Sequence, residues 1–165
     1  MAEDLYLKLT PRERFEVLDA AARQMGVAAS ILKKDYWVCR TLGMLFALPD
    51  LGEHLVFKGG TSLSKACRLI DRFSEDVDVS LHRDFLGFGP PTDPEAVTGQ
   101  EQRRRLEALQ TACTQNIRDR LRPALAAAIK ECLGSEETWS IELDGEDPQT
   151  LLFHFPPGQQ NSWVN

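Results

Sequence analysis

Two adjacent glycines in an apolar stretch place the tightest constraint on this chain. Leu55-Val56-Phe57-Lys58 is short and mostly apolar, as a strand is, and Gly59-Gly60 breaks it. Thr61 to about Ile70 predicts a helix, and Val77-Asp78-Val79-Ser80-Leu81 alternates as the next strand does. A turn from strand to helix within two residues favours backbone without side chains, and the helix that follows aims free N–H groups back at the turn. Period two then puts Asp76 and Asp78 on one face, with Cα atoms about 6.6 Å apart. Val77, Val79 and Leu81 take the other face, toward a core.

Taken singly, these pieces are bland. A lone Asp-x-Asp is a solvated strand face, and a lone Gly-Gly is a turn. Their ordered combination is more specific. Two outward carboxylates at this spacing suit a divalent metal, and paired Mg²⁺ ions about 3.5–4 Å apart suit phosphoryl or nucleotidyl transfer. Mg²⁺ (or Mn²⁺) prefers oxygen ligands and fills its shell with water and substrate phosphates, so few protein ligands are needed. The diglycine and the helix start at Thr61 supply a phosphate cradle.

The rest of the chain frames this unit. Thr10-Pro11-Arg12-Glu13 is a capping box with proline at the first helical position; Phe15, Leu18, Ala22 and Met25 fall on one face, and Gly26 ends the helix. A second helix is predicted from near Ser30, turning Ile31, Val38, Leu42 and Leu45 inward until Pro49 stops it. Glycines and prolines from Phe85 to Gly99 mark a loop, and a long helical region follows from about Gln100 to Leu133, divided or kinked at Pro123. Trp139 to Leu143 and Thr150 to Phe155 predict strands joined through Asp144-Gly145-Glu146-Asp147-Pro148. The polar stretch from Pro156 to Asn165 supplies no closing element, so the expectation is a chain cut short.

Composition excludes several classes. A net charge of −6 and a pI near 5.1 rule out a general basic coat for nucleic acid. No apolar run approaches the ~18 residues of a membrane span, and the charged start (Glu3, Asp4, Lys8) is no signal peptide. Cys39, Cys67, Cys113 and Cys132 form no Cys-x-x-Cys pair and read as reduced thiols of a cytoplasmic protein. At 165 residues the chain buries enough surface to fold without disulfides or a structural metal.

In its order of strand, Gly-Gly, helix and Asp-x-Asp strand, the chain resembles the DNA polymerase beta-like nucleotidyltransferase superfamily. Val56 to Lys65, followed by Arg72-Phe73-Ser74-Glu75-Asp76-Val77-Asp78, narrows the resemblance to the AbiEii toxins of type IV toxin–antitoxin and abortive-infection systems. Lys34-Asp35-Tyr36-Trp37-Val38 is similar to that family's leading helix. The resemblance implies an α+β fold with a small mixed sheet flanked by helices. It also implies transfer of a nucleoside monophosphate from an NTP to an RNA hydroxyl, tRNA included, or to a protein hydroxyl. A cognate antitoxin would be the partner. Asp76 and Asp78 would hold the metal, and Gly59, Gly60, Thr61 and Ser62 would cradle phosphates. Residues 1–50 would form a leading helical segment and 51–165 the nucleotidyltransferase core.

One departure bears on activity. The superfamily's third carboxylate, on a strand of the type Val-Lys-Leu-Glu in this branch, has no match here. Glu142 is nearest by residue type, but it lies in the hairpin before that motif and reads as an outward strand residue. The expectation is a core stopping before the third motif, which binds NTP and, taken alone, is silent in transfer. The alternative is a non-catalytic nucleotide-binding or partner-binding domain.

Other residues carry two readings each. Lys65 is either a triphosphate contact or a solvated helical lysine. Arg72 and Ser74 precede the aspartate pair and either position nucleotide or metal or, for Ser74, hold the turn. Arg103-Arg104-Arg105 with Arg118, Arg120 and Arg122 is either a phosphate-binding stretch or a solvated face. A P-loop fails at Ser64 and Ala66, an EF-hand fails at Leu81 and Gly87, and the histidines make no zinc spacing with the cysteines.

Overall fold

The computed structural model of the chain describes residues 5–59, 76–134 and 138–156. After a short 3-10 turn (Leu5–Lys8), helix α1 spans Pro11–Met25 and α2 spans Ala29–Phe46. The α1 capping box forms: the Glu13 N–H donates to Thr10 Oγ1 and the Thr10 N–H donates to Glu13 Oε2 at 2.8 Å. Gly26 ends α1 in the left-handed region at φ 67°. Ser30 does not cap α2; the helix starts at Ala29, and Ala28 makes no side-chain cap bond.

Of the residues expected inward on these helices, Ala22, Val38 and Leu45 are buried, and Phe15, Leu18 and Leu42 are half-buried. Met25 (59% exposed) and Ile31 (37%) are not buried. Both sit at the helix ends joined by the reversal at Gly26, where a periodic stripe outruns the surface that covers it.

Strands β1 (Leu55–Lys58) and β2 (Asp78–Leu81) pair antiparallel, with Leu55 opposite Leu81 and Lys58 opposite Asp78. Strands β3 (Ser140–Leu143) and β4 (Leu151–His154) form a second antiparallel pair. The expected single mixed sheet is therefore replaced, among the described residues, by two separate two-stranded sheets. Both pairs contribute to the wall of one open cleft of about 980 Å³, so the space between them is not bridged by ladder hydrogen bonds. The helix expected from Thr61 to Ile70 lies outside the described residues.

The long helical region runs as α3 (Gly99–Asn116), a wide π turn (Ile117–Leu121) and α4 (Arg122–Leu133). The region is thus divided directly before Pro123, as expected: the proline takes a tolerated position in the first turn of α4 and has no N–H to give to the carbonyl four residues back, Asp119, inside the π turn. The buried residues run through the π turn. Ile117, Leu121, Leu125, Ile129 and Leu133 recur every four residues. In an α-helix each such step overshoots a full turn by about 40°, so the stripe would wind off the core. A wider turn takes back part of that rotation.

This stripe meets Trp37, Met44 and Leu45 of α2 together with Leu48, Leu51 and Leu55 in the one core cluster. Ile129 is 0% exposed at its centre. Trp37 (4% exposed) meets Phe153 edge-on at 5.7 Å and stacks on Phe155 at 5.8 Å, pinning the second strand pair to α2.

Candidate functional site

The cleft is lined by both strand pairs, by α2 and by the run from α3 through the π turn to α4, which adds Leu109, Cys113 and Leu121 among others. Lys58 ends β1 with Gly59 directly after it, and Asp78 opens β2 with Asp76 and Val77 directly before it. One stripe of α2 adds Lys34, Trp37, Val38, Thr41 and Leu45, and the β3–β4 turn adds Asp147 and Gln149. Asp76, Val77, Asp78 and Val79 all line this cleft; the two aspartates are exposed, and the two valines are half-buried and pack against the core. The alternation read from the sequence thus appears in exposure, though not in which residues border the cleft.

Gly59 has two independent reasons to be glycine. Its φ of 71° lies in the left-handed region, and a Cβ there would collide with the Asp78 carboxylate. The backbone at the end of β1 therefore serves as the floor on which the Asp78 side chain lies. Gly60, Thr61, Ser62, Lys65, Arg72 and Ser74 fall outside the described residues, so their place around this floor stays an expectation.

The donor set fits a hard divalent cation of modest protein ligation. Two carboxylates on one wall of an open cleft leave room for waters and phosphate oxygens in the remaining positions. Among the described residues no group of three or more Asp, Glu, His or Cys side chains comes together as a metal cage. Glu142, the nearest third carboxylate by type, is exposed and accepts a hydrogen bond from Ser140 Oγ at 2.9 Å. Asp144 accepts from the Glu146 and Asp147 N–H groups and so organises its own turn. Asp147 lines the cleft, but its carboxylate accepts from the Gln149 N–H and Thr150 Oγ1, which hold its pKa below the usual range.

The arginine stretch is largely engaged. Arg104 and Arg105 both donate to Glu101, whose carboxyl is pushed down to about 2. Arg118 forks onto Asp119, and Arg120 lies over the Phe85 ring at 5.1 Å. Arg105 also donates to the backbone carbonyls of Pro91 and Asp93, tying α3 to the preceding loop.

Sequence reasoning missed Lys34 and the turn residues Asp147 and Gln149 as parts of the cleft lining. For Lys34 a signal existed: it lies three residues before Trp37, hence on the same helical face. No local pattern marks Asp147, because its approach depends on how the second strand pair docks against α2.

The family model of the nucleotidyl transferase AbiEii toxin, type IV toxin–antitoxin system, matches residues 40–163, three quarters of the chain. The chain belongs to that family. A nucleotidyl transferase takes an NTP as its substrate class, and a type IV toxin has an antitoxin as counterpart. No curated protein and no solved structure matches the chain. No helix among the described residues is long and apolar enough to cross a membrane.

Proposed function

We propose that this AbiEii-family chain uses the cleft at Asp76 and Asp78 to transfer a nucleoside monophosphate from an NTP to a hydroxyl of RNA, tRNA being the expected acceptor. The observation that carries the reading is the convergence of both carboxylates on one cleft, with Asp78 resting on the side-chain-free backbone of Gly59. The acceptor oxygen forms a bond to the α-phosphorus, the bond from that phosphorus to the bridging oxygen breaks, and pyrophosphate leaves. The hydroxyl proton passes to water.

Asp76 and Asp78 would hold a divalent cation through their carboxylate oxygens. Mg²⁺ or Mn²⁺ bound there would supply charge neutralisation at the triphosphate and acidify the attacking hydroxyl. Gly59 keeps the Asp78 carboxylate at its height above β1. Gly60, Thr61 and Ser62 give backbone and hydroxyl donors to the β- and γ-phosphates; Lys65 adds charge, and Arg72 and Ser74 orient the nucleotide. The apolar wall, Trp37 and Leu55 among it, limits the water that reaches the reacting phosphorus. An antitoxin partner and a cytoplasmic setting complete the proposal.

The test is incubation with each of four α-labelled NTPs, Mg²⁺ and total tRNA. Label on RNA that disappears in Asp76→Asn/Asp78→Asn supports the reading. Label on protein replaces the acceptor, and nucleotide binding without transfer moves the chain to the non-catalytic alternative. No nucleotide binding at all overturns the proposal.

A further inference from the structure

The stripe of α2 that faces the cleft is apolar except at Lys34 and Thr41. Trp37, Val38, Thr41 and Leu45 follow Lys34 at spacings of three, four, seven and eleven residues, so all five share a face. The rotation of this helix is fixed, because Trp37 is wedged against Phe153 and Phe155. The neighbouring lysine is used differently. Lys33 lies 5.2 Å from the centre of the Phe155 ring, and its burial there pushes its pKa down. The 100° helical step gives the two consecutive lysines different neighbours: Lys33 lies over the Phe155 ring, itself part of the cleft lining, and Lys34 shares the stripe of Trp37.

Two other cations stand along the same wall. Arg83 is held by Asp93 at 3.1 Å and by Glu95 at 3.3 Å. Lys58 ends β1 directly across the ladder from Asp78. Lys34 is the cation brought from outside the strand pair, on the helix whose Lys34-to-Val38 run is similar to the family's leading helix.

We propose that Lys34 is a substrate-binding residue whose ammonium contacts the phosphates of the NTP held at Asp76 and Asp78. The inference rests on the nucleotidyl-transfer reading of this cleft and adds to it a cation from the leading helix. The chemistry is simple: an NTP brings about four negative charges beside two carboxylates, and its metal offsets only part of them. A lysine at the head of a mostly apolar stripe is long enough to run its methylene stem along the wall and bring its charge to a bound phosphate. A nucleoside, with the same base and sugar but no phosphates, lacks the group Lys34 would hold.

The experiment measures Mg²⁺-dependent binding of an NTP and of the matching nucleoside to the full 165-residue chain and its variants. Lys34→Met keeps the stem and removes the charge. It is expected to weaken NTP binding about tenfold or more, leave nucleoside binding unchanged, and be rescued in large part by Lys34→Arg. Lys33→Met is expected to leave NTP affinity as in wild type. Circular dichroism checks the fold, and Lys34→Gln provides a second neutral variant should Lys34→Met fold poorly. Wild-type NTP affinity in both folded neutral variants, with binding lost in Asp76→Asn/Asp78→Asn, overturns the role of Lys34 and leaves the cleft assignment standing. Equal losses for NTP and nucleoside also overturn it, since they mark a packing role. Absence of Mg²⁺–NTP binding in wild type overturns both.

Discussion

The two strand pairs are built alike and serve different ends. Each is antiparallel, each strand has four residues, and each carries a carboxylate projecting off the ladder: Asp78 on β2 and Glu142 on β3. What faces the carboxylate separates them. Asp78 lies over the bare backbone of Gly59 at the mouth of the cleft, whereas Glu142 is exposed and takes a hydrogen bond from Ser140 two residues away on its own strand. The β3–β4 turn spends both its aspartates on its own backbone and Thr150. Residue type and strand position alone would score the pairs equally; the surroundings decide which carboxylate has chemistry to do.

The largest expected effect contrasts those carboxylates. Asp76→Asn/Asp78→Asn should abolish Mg²⁺-dependent NTP binding, since the pair supplies the oxygens that would hold the metal. Glu142→Gln should leave NTP affinity within about twofold, as expected of an exposed strand residue. A large loss at Glu142 in the NTP-binding assay would dissolve the distinction between the two pairs.

Next in size is the anchoring of the second pair. Trp37→Ala should cost about 3–5 kcal/mol in urea unfolding, because a buried indole between two phenylalanine rings leaves a cavity. A loss under about 1 kcal/mol would mean that the β3–β4 pair does not depend on α2.

The glycines sharpen the comparison further. Gly59→Ala forces a Cβ into the Asp78 carboxylate at a positive φ, which should cost about 1–3 kcal/mol and impair nucleotide binding. Gly145, in the turn of the other pair, has open space where a Cβ would go and no positive φ. Gly145→Ala should stay within about 0.5 kcal/mol of wild type. Equal costs in thermal denaturation would remove the special status given to Gly59.

The smallest effect lies away from both pairs. Glu101 has a folded pKa of about 2 against an ordinary value near 4.5. A depressed acid contributes stability above its unfolded pKa, and that contribution is lost as pH falls from about 4.5 toward 2. Glu101→Gln should therefore flatten the acid limb of the stability curve in that window and change little near neutrality beyond a constant offset. Exposure keeps the effect small. An unchanged acid limb would show that the Arg104 and Arg105 bonds are not kept in solution.

Local chemistry was the legible part of the fold. Thr10 with Glu13 and Gly26 mark both ends of α1, and Lys58 followed by Gly59 marks the end of β1, because caps and glycine turns act over a few residues. Faces were less legible at helix ends, as Met25 and Ile31 show. The division before Pro123 was legible because a proline lacks the N–H that would continue the helix; the width of the turn from Ile117 to Leu121 was not. One mixed sheet was expected, yet each strand pairs with its neighbour among the described residues, since strand partners are set by distant packing. At the site, the alternation of Asp76, Val77 and Asp78 was readable from period two. The approach of Lys34, Asp147 and Gln149 was not, because it depends on the docking of α2 and the second strand pair.

The central claim is that Asp76 and Asp78 form the Mg²⁺–NTP site. Thermal unfolding of wild type and Asp76→Asn/Asp78→Asn, each with and without Mg²⁺–NTP, tests it most directly. A ligand at about 100 times its Kd stabilises the wild type by about 2.7 kcal/mol, which raises the melting temperature by several degrees. The account predicts that rise in wild type and none in the double variant, with both folded in the absence of ligand. Equal rises in the two proteins would place the nucleotide elsewhere and contradict the account.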